Sequence, residues 1–166
     1  MATTTYTSID FRNPRVATLG GNCYWTVLAL TNIDLGIWNF VKDVDSWLYG
    51  VVTVPAGLAG TVAPAIVLSI GANATSGVTA LNVSTKAVAP DAESIDVTLT
   101  ADTEQNITVP GTARLTKAVT FTVGDLANIV ANDILVVGVR HDGIVGADTL
   151  AVDTELYDAW LRVDLA

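Results

Sequence analysis

The stretch GVTALNVSTKAV, residues 77–88, decides the fold class of this chain. Two sets of side chains alternate along it: Val78, Ala80, Asn82, Ser84 and Lys86 in one set, and Thr79, Leu81, Val83, Thr85 and Ala87 in the other. Successive side chains of a β-strand point to opposite faces of the sheet. The second set is the more apolar, so we predict a strand that turns this set towards a core.

Runs of the same kind recur along the chain, with turn residues between them. They are CYWTVLALT (23–31), WLYGVVTV (47–54), PAIVLSIGA (64–72), ESIDVTLTA (93–101), AVTFTV (118–123), DILVVGVRHD (133–142) and TELYDAWLRVDL (154–165). Val and Thr supply more than a quarter of all residues, and β-branched side chains favour strands. The pattern predicts an all-β protein, an antiparallel jelly roll or β-sandwich of about eight strands. In the last run Leu156, Trp160 and Leu161 break the alternation, which predicts a β-bulge.

Two segments depart from this pattern. Residues 1–22 are rich in Thr, contain RNPR and GGN, and show no alternation. We predict that they form an extended N-terminal arm ordered by contact with a partner, which leaves residues 23–166 as one sandwich domain. The run TVGDLANIVAND, residues 122–133, predicts one short helical turn, capped by Gly124 or Asp125.

Charge is distributed unevenly along the chain. Acids and bases balance over residues 1–90, so the whole net charge of −9 lies in residues 91–166. An acidic surface repels phosphate, so we expect no nucleic-acid partner. Residues 46–85 carry no charge, but prolines and glycines interrupt them before they reach the roughly 18 apolar residues of a membrane span. We therefore expect no membrane partner, and we predict that part of this uncharged stretch contacts another subunit.

The residue types of catalytic and metal sites are scarce. His141, in RHDG, is the only histidine and Cys23 the only cysteine, and no G-x-S-x-G motif is present. We predict that RHDG is the end of a strand running into a turn, and that Cys23 is a buried thiol. We expect no enzymatic activity and no cofactor, although a calcium site built from Asp142 and Asp148 stays open. The opening MATTTYTSID lacks the basic start and apolar run of a secretory signal, so none is expected.

Aromatic residues cluster between residues 24 and 49. Exposed aromatic side chains form either a platform on which sugars stack or a subunit interface, whereas buried ones belong to the core. Trp38 and Phe40 lie two residues apart on one strand face, and Trp47 lies at the start of the uncharged stretch. We assign Trp38, Phe40 and Trp47 to a subunit interface.

The order of the strands and turns resembles that of a known group of proteins over about residues 48–165. The stretches that carry the resemblance are VVTVP, ATSGVTALNVSTKAVAPD, VPGTARLTKAVTFTV and ANDILVVGVRHDGIVGADTLAVDTELYDAWLRVDL. In the last of them the matching positions are Asp133, Leu135, Val137, Val139, Arg140, Asp148, Thr149 and Leu150. The group is that of the jelly-roll decoration, or cement, proteins and head-fibre domains of tailed bacteriophages. The resemblance implies a trimer fixed on a capsid or a virion fibre.

Two functions follow as hypotheses. The first is a structural virion protein, a homotrimer that docks on the major capsid protein at the outer surface of a phage head and stabilises it. In that hypothesis Phe11, Arg12 and Arg15 of the arm contact the capsid. The alternative is a carbohydrate- or receptor-binding module of a phage head or tail fibre.

Overall fold

A computed structural model describes residues 2–13, 23–59, 63–101, 104–122 and 129–166, and every regular element in these ranges is a β-strand. The strands are β1 (Thr3–Ser8), β2 (Asp10–Asn13), β3 (Cys23–Ala29), β4 (Asp34–Phe40), β5 (Ser46–Thr53), β6 (Ala65–Ala72), β7 (Val78–Val88), β8 (Thr100–Ala101), β9 (Gln105–Thr108), β10 (Lys117–Phe121), β11 (Ile134–His141) and β12 (Thr154–Leu165). Within the described ranges no helix is long and apolar enough to cross a membrane.

The strands form two antiparallel sheets that pack face to face. Sheet I has the order β10-β6-β12-β4-β3, and β1 pairs with the part of β12 that β4 leaves free. Sheet II has the order β2-β5-β11-β7-β8, and β9 also pairs with β7. This arrangement confirms the predicted β-sandwich.

The core lies between the inner faces of the two sheets. In β7, Leu81 and Val83 belong to it and Ala87 packs against it, which confirms the inward face predicted from the alternation. Much of the uncharged stretch, residues 46–85, is buried in the folded chain. Seven of the eight residues of β6 are buried, as are alternate residues of β5. Burying each large aliphatic side chain among them, such as Ile66, Leu68 and Ile70, stabilises the fold by about 1.5–3 kcal/mol, so the lack of charge in residues 46–85 does not require a subunit contact.

The N-terminal segment belongs to the sandwich over the residues that the structure describes. Strand β1 pairs with β12 from Thr3 opposite Leu165 to Ser8 opposite Trp160, and β2 pairs with β5. Between them Ile9 is buried in the core, and its backbone N–H donates to the carbonyl of Ala159 at 2.9 Å. This corrects the expectation of a separate arm for residues 2–13. Residues 14–22 lie outside the described residues.

The last strand contains the predicted bulge. Its pairing with β6 shifts register between Leu156 and Asp158, which confirms the interruption expected from the broken alternation. The helical turn predicted for residues 122–133 falls mainly on residues 123–128, which lie outside the described residues. Beyond them, Ala131 and Asn132 form a turn that leads into β11.

Candidate functional site

His141 ends β11, as predicted, but its side chain is buried rather than exposed in a turn. It is 1% exposed, and its Nε2 lies 2.8 Å from Oδ2 of Asp148. Asp148 also accepts hydrogen bonds from the backbone N–H groups of Ala80 and Leu150. The pair thus ties the end of β11 to β7 and to the loop before β12, and both side chains are closed to solvent. We interpret RHD as a structural element.

The His141→Ala variant is expected to lower the free energy of unfolding by about 2–4 kcal/mol, because it leaves a cavity and removes a buried partner of Asp148. Urea denaturation measures this loss. His141→Gln is the matched control, since its amide nitrogen can still donate to Asp148, and it should lose less. An alanine variant within about 0.5 kcal/mol of the wild type would show that the pair contributes little to stability.

The three residues assigned to a subunit interface lie in different surroundings. Phe40 is fully buried in the core between the sheets, which corrects its assignment to an interface. Trp38 is half-buried, packs against the core and meets the Trp25 ring edge-on, with the ring centroids 5.2 Å apart. Trp47 faces away from the core on the outer side of sheet II. Trp47 also borders a groove on that sheet, whereas Trp38 and Phe40 do not.

The structure also locates part of the proposed capsid contact. The ring of Phe11 is half-buried and packs against the core beside Gly50, where a Cβ atom would lie 2.6 Å from it. Phe11 therefore helps to close one edge of the sandwich. Arg12 lies in β2, and Arg15 lies outside the described residues.

A groove of about 760 Å³ runs along the outer face of sheet II. We call it the aromatic groove, and it is lined by Asp10, Trp47, Tyr49, Gly50, Val51, Ile95, Asp96, Val97, Leu99 and Val136. Trp47 and Tyr49 lie two residues apart on β5, so both point to the same face. Their rings are parallel to within 3°, with centroids 6.2 Å apart. They form one continuous aromatic wall.

The neighbouring strand and the loop after β7 shape this wall. Gly138 of β11 pairs with Tyr49, and a Cβ atom at Gly138 would lie 3.1 Å from the Tyr49 ring and 2.9 Å from Cδ1 of Leu99. The absence of a side chain at this position therefore lets Tyr49 and Leu99 close over the sheet. The loop contributes Ile95, which is exposed.

Charged side chains hold Trp47 in place. Arg140 pairs with Trp47 across the strands, and its guanidinium carbon lies 5.4 Å from the centroid of the indole ring. The same guanidinium bridges Asp45 at 2.8 Å and Asp142 at 2.9 Å. Partial burial and, after it, the charge of Asp142 raise the pKa of the nearby Glu104 carboxyl. A ring fixed in this way loses little conformational entropy when a ligand packs against it.

The groove combines an apolar surface with a few carboxylates. Val51, Val97 and Val136 supply aliphatic contacts, while Asp10 and Asp96 supply acceptors for hydroxyl groups. A ligand with an apolar face and several hydroxyl groups would match both features, whereas a polyanion would be repelled.

Metal and thiol chemistry gain no support within the described ranges. No group of three or more His, Cys, Asp or Glu side chains there could hold a metal ion, so Asp142 and Asp148 have no further ligands with which to bind calcium. Asp148 is instead hydrogen-bonded to His141.

Cys23 is buried, as predicted, and burial raises the pKa of its thiol to about 12. A thiol with that pKa is a poor nucleophile at neutral pH.

Comparisons with known proteins address the fold. No family model matches the chain, and no curated protein matches it. The solved structure of CtCBM11, a carbohydrate-binding module, superposes with a TM-score of 0.50 at 10% identity, over 97% of this chain and 96% of that one. A family 11 carbohydrate-binding module of a cellulosomal cellulase of Clostridium thermocellum superposes with a TM-score of 0.47 at 10% identity, over 95% of this chain and 94% of that one. The K1 cleaved adhesin domain of Lys-gingipain from Porphyromonas gingivalis W83 superposes with a TM-score of 0.44 at 15% identity, over 96% of this chain and 97% of that one. At these identities the likeness concerns the sandwich fold alone.

Proposed function

We propose that this chain is a carbohydrate-binding module that holds a neutral oligosaccharide in the aromatic groove. The observation that carries the proposal is the parallel pair of Trp47 and Tyr49 along an open groove of about 760 Å³. The C–H face of a sugar ring is apolar and packs on an aromatic ring, while its hydroxyl groups hydrogen-bond to carboxylates. Solved structures that share the sandwich include modules described as carbohydrate-binding, which supports this choice over other ligands.

The charges around the groove favour an uncharged glycan. Asp10 and Asp96 line it, and the whole chain carries a net charge of −9. A glycan rich in uronate or sialate would bring its own carboxylates into this field and would be repelled. Neutral oligosaccharides should therefore bind more tightly than anionic ones of the same length.

The Trp47→Ala variant is expected to weaken oligosaccharide binding by at least tenfold, or about 1.4 kcal/mol, because it removes half of the aromatic wall. Calorimetric titration with a β-1,3-1,4-mixed-linked tetrasaccharide, the ligand in one family 11 module structure, is the first measurement. An array of neutral and anionic oligosaccharides then ranks other ligands.

Trp25→Ala is the matched control, because Trp25 is an exposed tryptophan that lies on sheet I instead. It should bind oligosaccharide as the wild type does. If no oligosaccharide on the array binds the wild type, or if Trp47→Ala binds as tightly as the wild type, the proposal is wrong.

A second candidate is the structural role, a homotrimeric decoration protein that docks on a major capsid protein at the outer surface of a virion. One observation favours it besides the sequence resemblance. Among the described strands, β3 lies at the edge of sheet I and exposes Tyr24, Trp25 and Val27, and an edge of this kind can pair with a second copy of the chain. The glycan titration separates the candidates, since a decoration protein that binds only capsid would saturate with no oligosaccharide.

A further inference from the structure

The outer face of sheet I carries a row of polar side chains that the aromatic groove does not use. Tyr24 of β3 pairs with Asn39 of β4, and Asn39 pairs with Glu155 of β12. Their chain neighbours Phe40 and Leu156 point into the core, so Asn39 and Glu155 point to the opposite face. Three strands far apart in the sequence thus place a phenol, an amide and a carboxylate side by side.

These residues line a recess of about 430 Å³, which we call the polar recess. Its lining residues are Tyr24, Thr26, Leu28, Ile37, Asn39, Asn73, Arg114, Val152, Asp153 and Glu155. Asn39 is 5% exposed, and its Nδ2 has no hydrogen-bond partner among the described residues. A buried amide nitrogen without a partner costs about 1–3 kcal/mol of stability, so its position in the lining of a recess points to a ligand that satisfies it.

Glu155 at the floor of the recess is held by two neighbours. The Tyr157 hydroxyl donates to its Oε2 at 2.5 Å, and Nε of Arg114 lies 3.5 Å from its Oε1. Tyr157 follows Glu155 by two residues on β12, and Gly71 leaves room for its ring, since a Cβ atom at Gly71 would lie 2.7 Å from that ring. Burial and then this hydrogen bond raise the pKa of Tyr157. The carboxylate is therefore positioned in advance.

The rim of the recess is organised as well. The Tyr24 hydroxyl donates to Oδ2 of Asp153 at 2.8 Å, which fixes the orientation of an aromatic ring that remains exposed. Arg114 supplies one positive charge, while Asp153 and Glu155 supply two negative charges. The local balance disfavours an anion. Each carboxylate oxygen can accept more than one hydrogen bond, so both acids can still accept a hydroxyl proton.

We propose that the polar recess is a second binding site, and that it takes a single neutral sugar ring. A hydroxyl group both accepts and donates, so it satisfies the Asn39 amide in either orientation of that amide. An adjacent hydroxyl donates to Glu155 or Asp153, and the ring packs against Tyr24. The site lies on the opposite outer face from the aromatic groove and does not depend on it.

The experiment titrates methyl glycosides of glucose, galactose and mannose into isotope-labelled wild type and into Trp47→Ala, and follows the Asn39 side-chain amide by NMR. At least one sugar should shift this signal with saturation in both proteins. In Asn39→Leu the sugar should no longer shift the backbone amide signals of positions 39 and 155. The affinity for sugar at this site should fall at least tenfold. The same variant should be at least as stable as the wild type, because it removes an unpaired buried polar group.

Tyr6→Ala is the control, an exposed tyrosine on β1 outside the recess, and it should bind sugar as the wild type does. The proposal fails if none of the three sugars gives a saturable shift, or if Asn39→Leu binds sugar as the wild type does. An unstable Asn39→Leu variant with unchanged binding would likewise overturn it and make Asn39 structural. The Asn39 signal reports binding at the polar recess even in Trp47→Ala, where binding at the aromatic groove is lost. The two sites are therefore tested independently of each other.

Discussion

Phe40→Ala is expected to lower the free energy of unfolding by about 3–5 kcal/mol. Its ring is 0% exposed and packs in the core between the sheets, with the His141 ring 6.0 Å away between centroids. Truncation leaves a cavity whose walls belong to both sheets, and close-packed β-strands relax only partly around such a space. Urea denaturation monitored by tryptophan fluorescence measures the loss.

Trp38→Ala is the matched control, because Trp38 lies on the same face of β4 but is only half-buried, so it should lose less stability. Light scattering on both variants reports any change in subunit number. If the Phe40→Ala protein kept wild-type stability but showed a smaller assembly mass, Phe40 would belong to a subunit interface and not to the core.

The contrast between these two residues shows what alternation can and cannot predict. The pattern GIWNFV correctly places Trp38 and Phe40 on one face of a strand, and the inward face of β7 is predicted in the same way. Whether that face is covered depends on how far the opposite sheet extends beyond it. Phe40 packs against His141 of sheet II, whereas Trp38, two residues earlier on β4, packs against the exposed Trp25. That difference comes from tertiary packing, which the local pattern does not contain.

The candidate sites could be predicted only in part for a related reason. Trp47 stands out as an aromatic residue at the start of an uncharged stretch, but Arg140, which lies over its ring, and Leu99, which lines the same groove, come from other parts of the chain. The polar recess gives no local signal, because Asn39 and Glu155 look like ordinary outward residues of their strands. Their significance arises from the register of β4 against β12, which puts them side by side.

The N-terminal segment was harder to predict because its strands lie at sheet edges. An edge strand that exposes one face needs few apolar residues, so TTTYTS resembles a polar linker. What specifies its place is the buried Ile9, the partly buried Phe11 and backbone pairing that any sequence can provide. Thr4 adds a side-chain hydrogen bond to Asp164 at 2.8 Å.

Deleting residues 2–13 is therefore expected to unfold the protein or to lower its free energy of unfolding by about 5 kcal/mol or more. The deletion removes six residue pairs between β1 and β12, the pairing of β2 with β5, and the buried Ile9. Each hydrogen bond contributes about 0.5–1.5 kcal/mol and the Ile9 side chain about 1.5–3 kcal/mol. Their sum is comparable to the whole stability of a small domain.

Circular dichroism with thermal denaturation measures the effect of the deletion, and Tyr6→Ala, which removes only an exposed ring from β1, is the control. A truncated protein with an unchanged spectrum and melting temperature would show that these strands dock weakly, as a separable arm would. The structure favours the opposite outcome for a topological reason. Strand β1 lies in sheet I and β2 in sheet II, so the segment joins the two sheets at one edge, and its loss exposes the core from both sides.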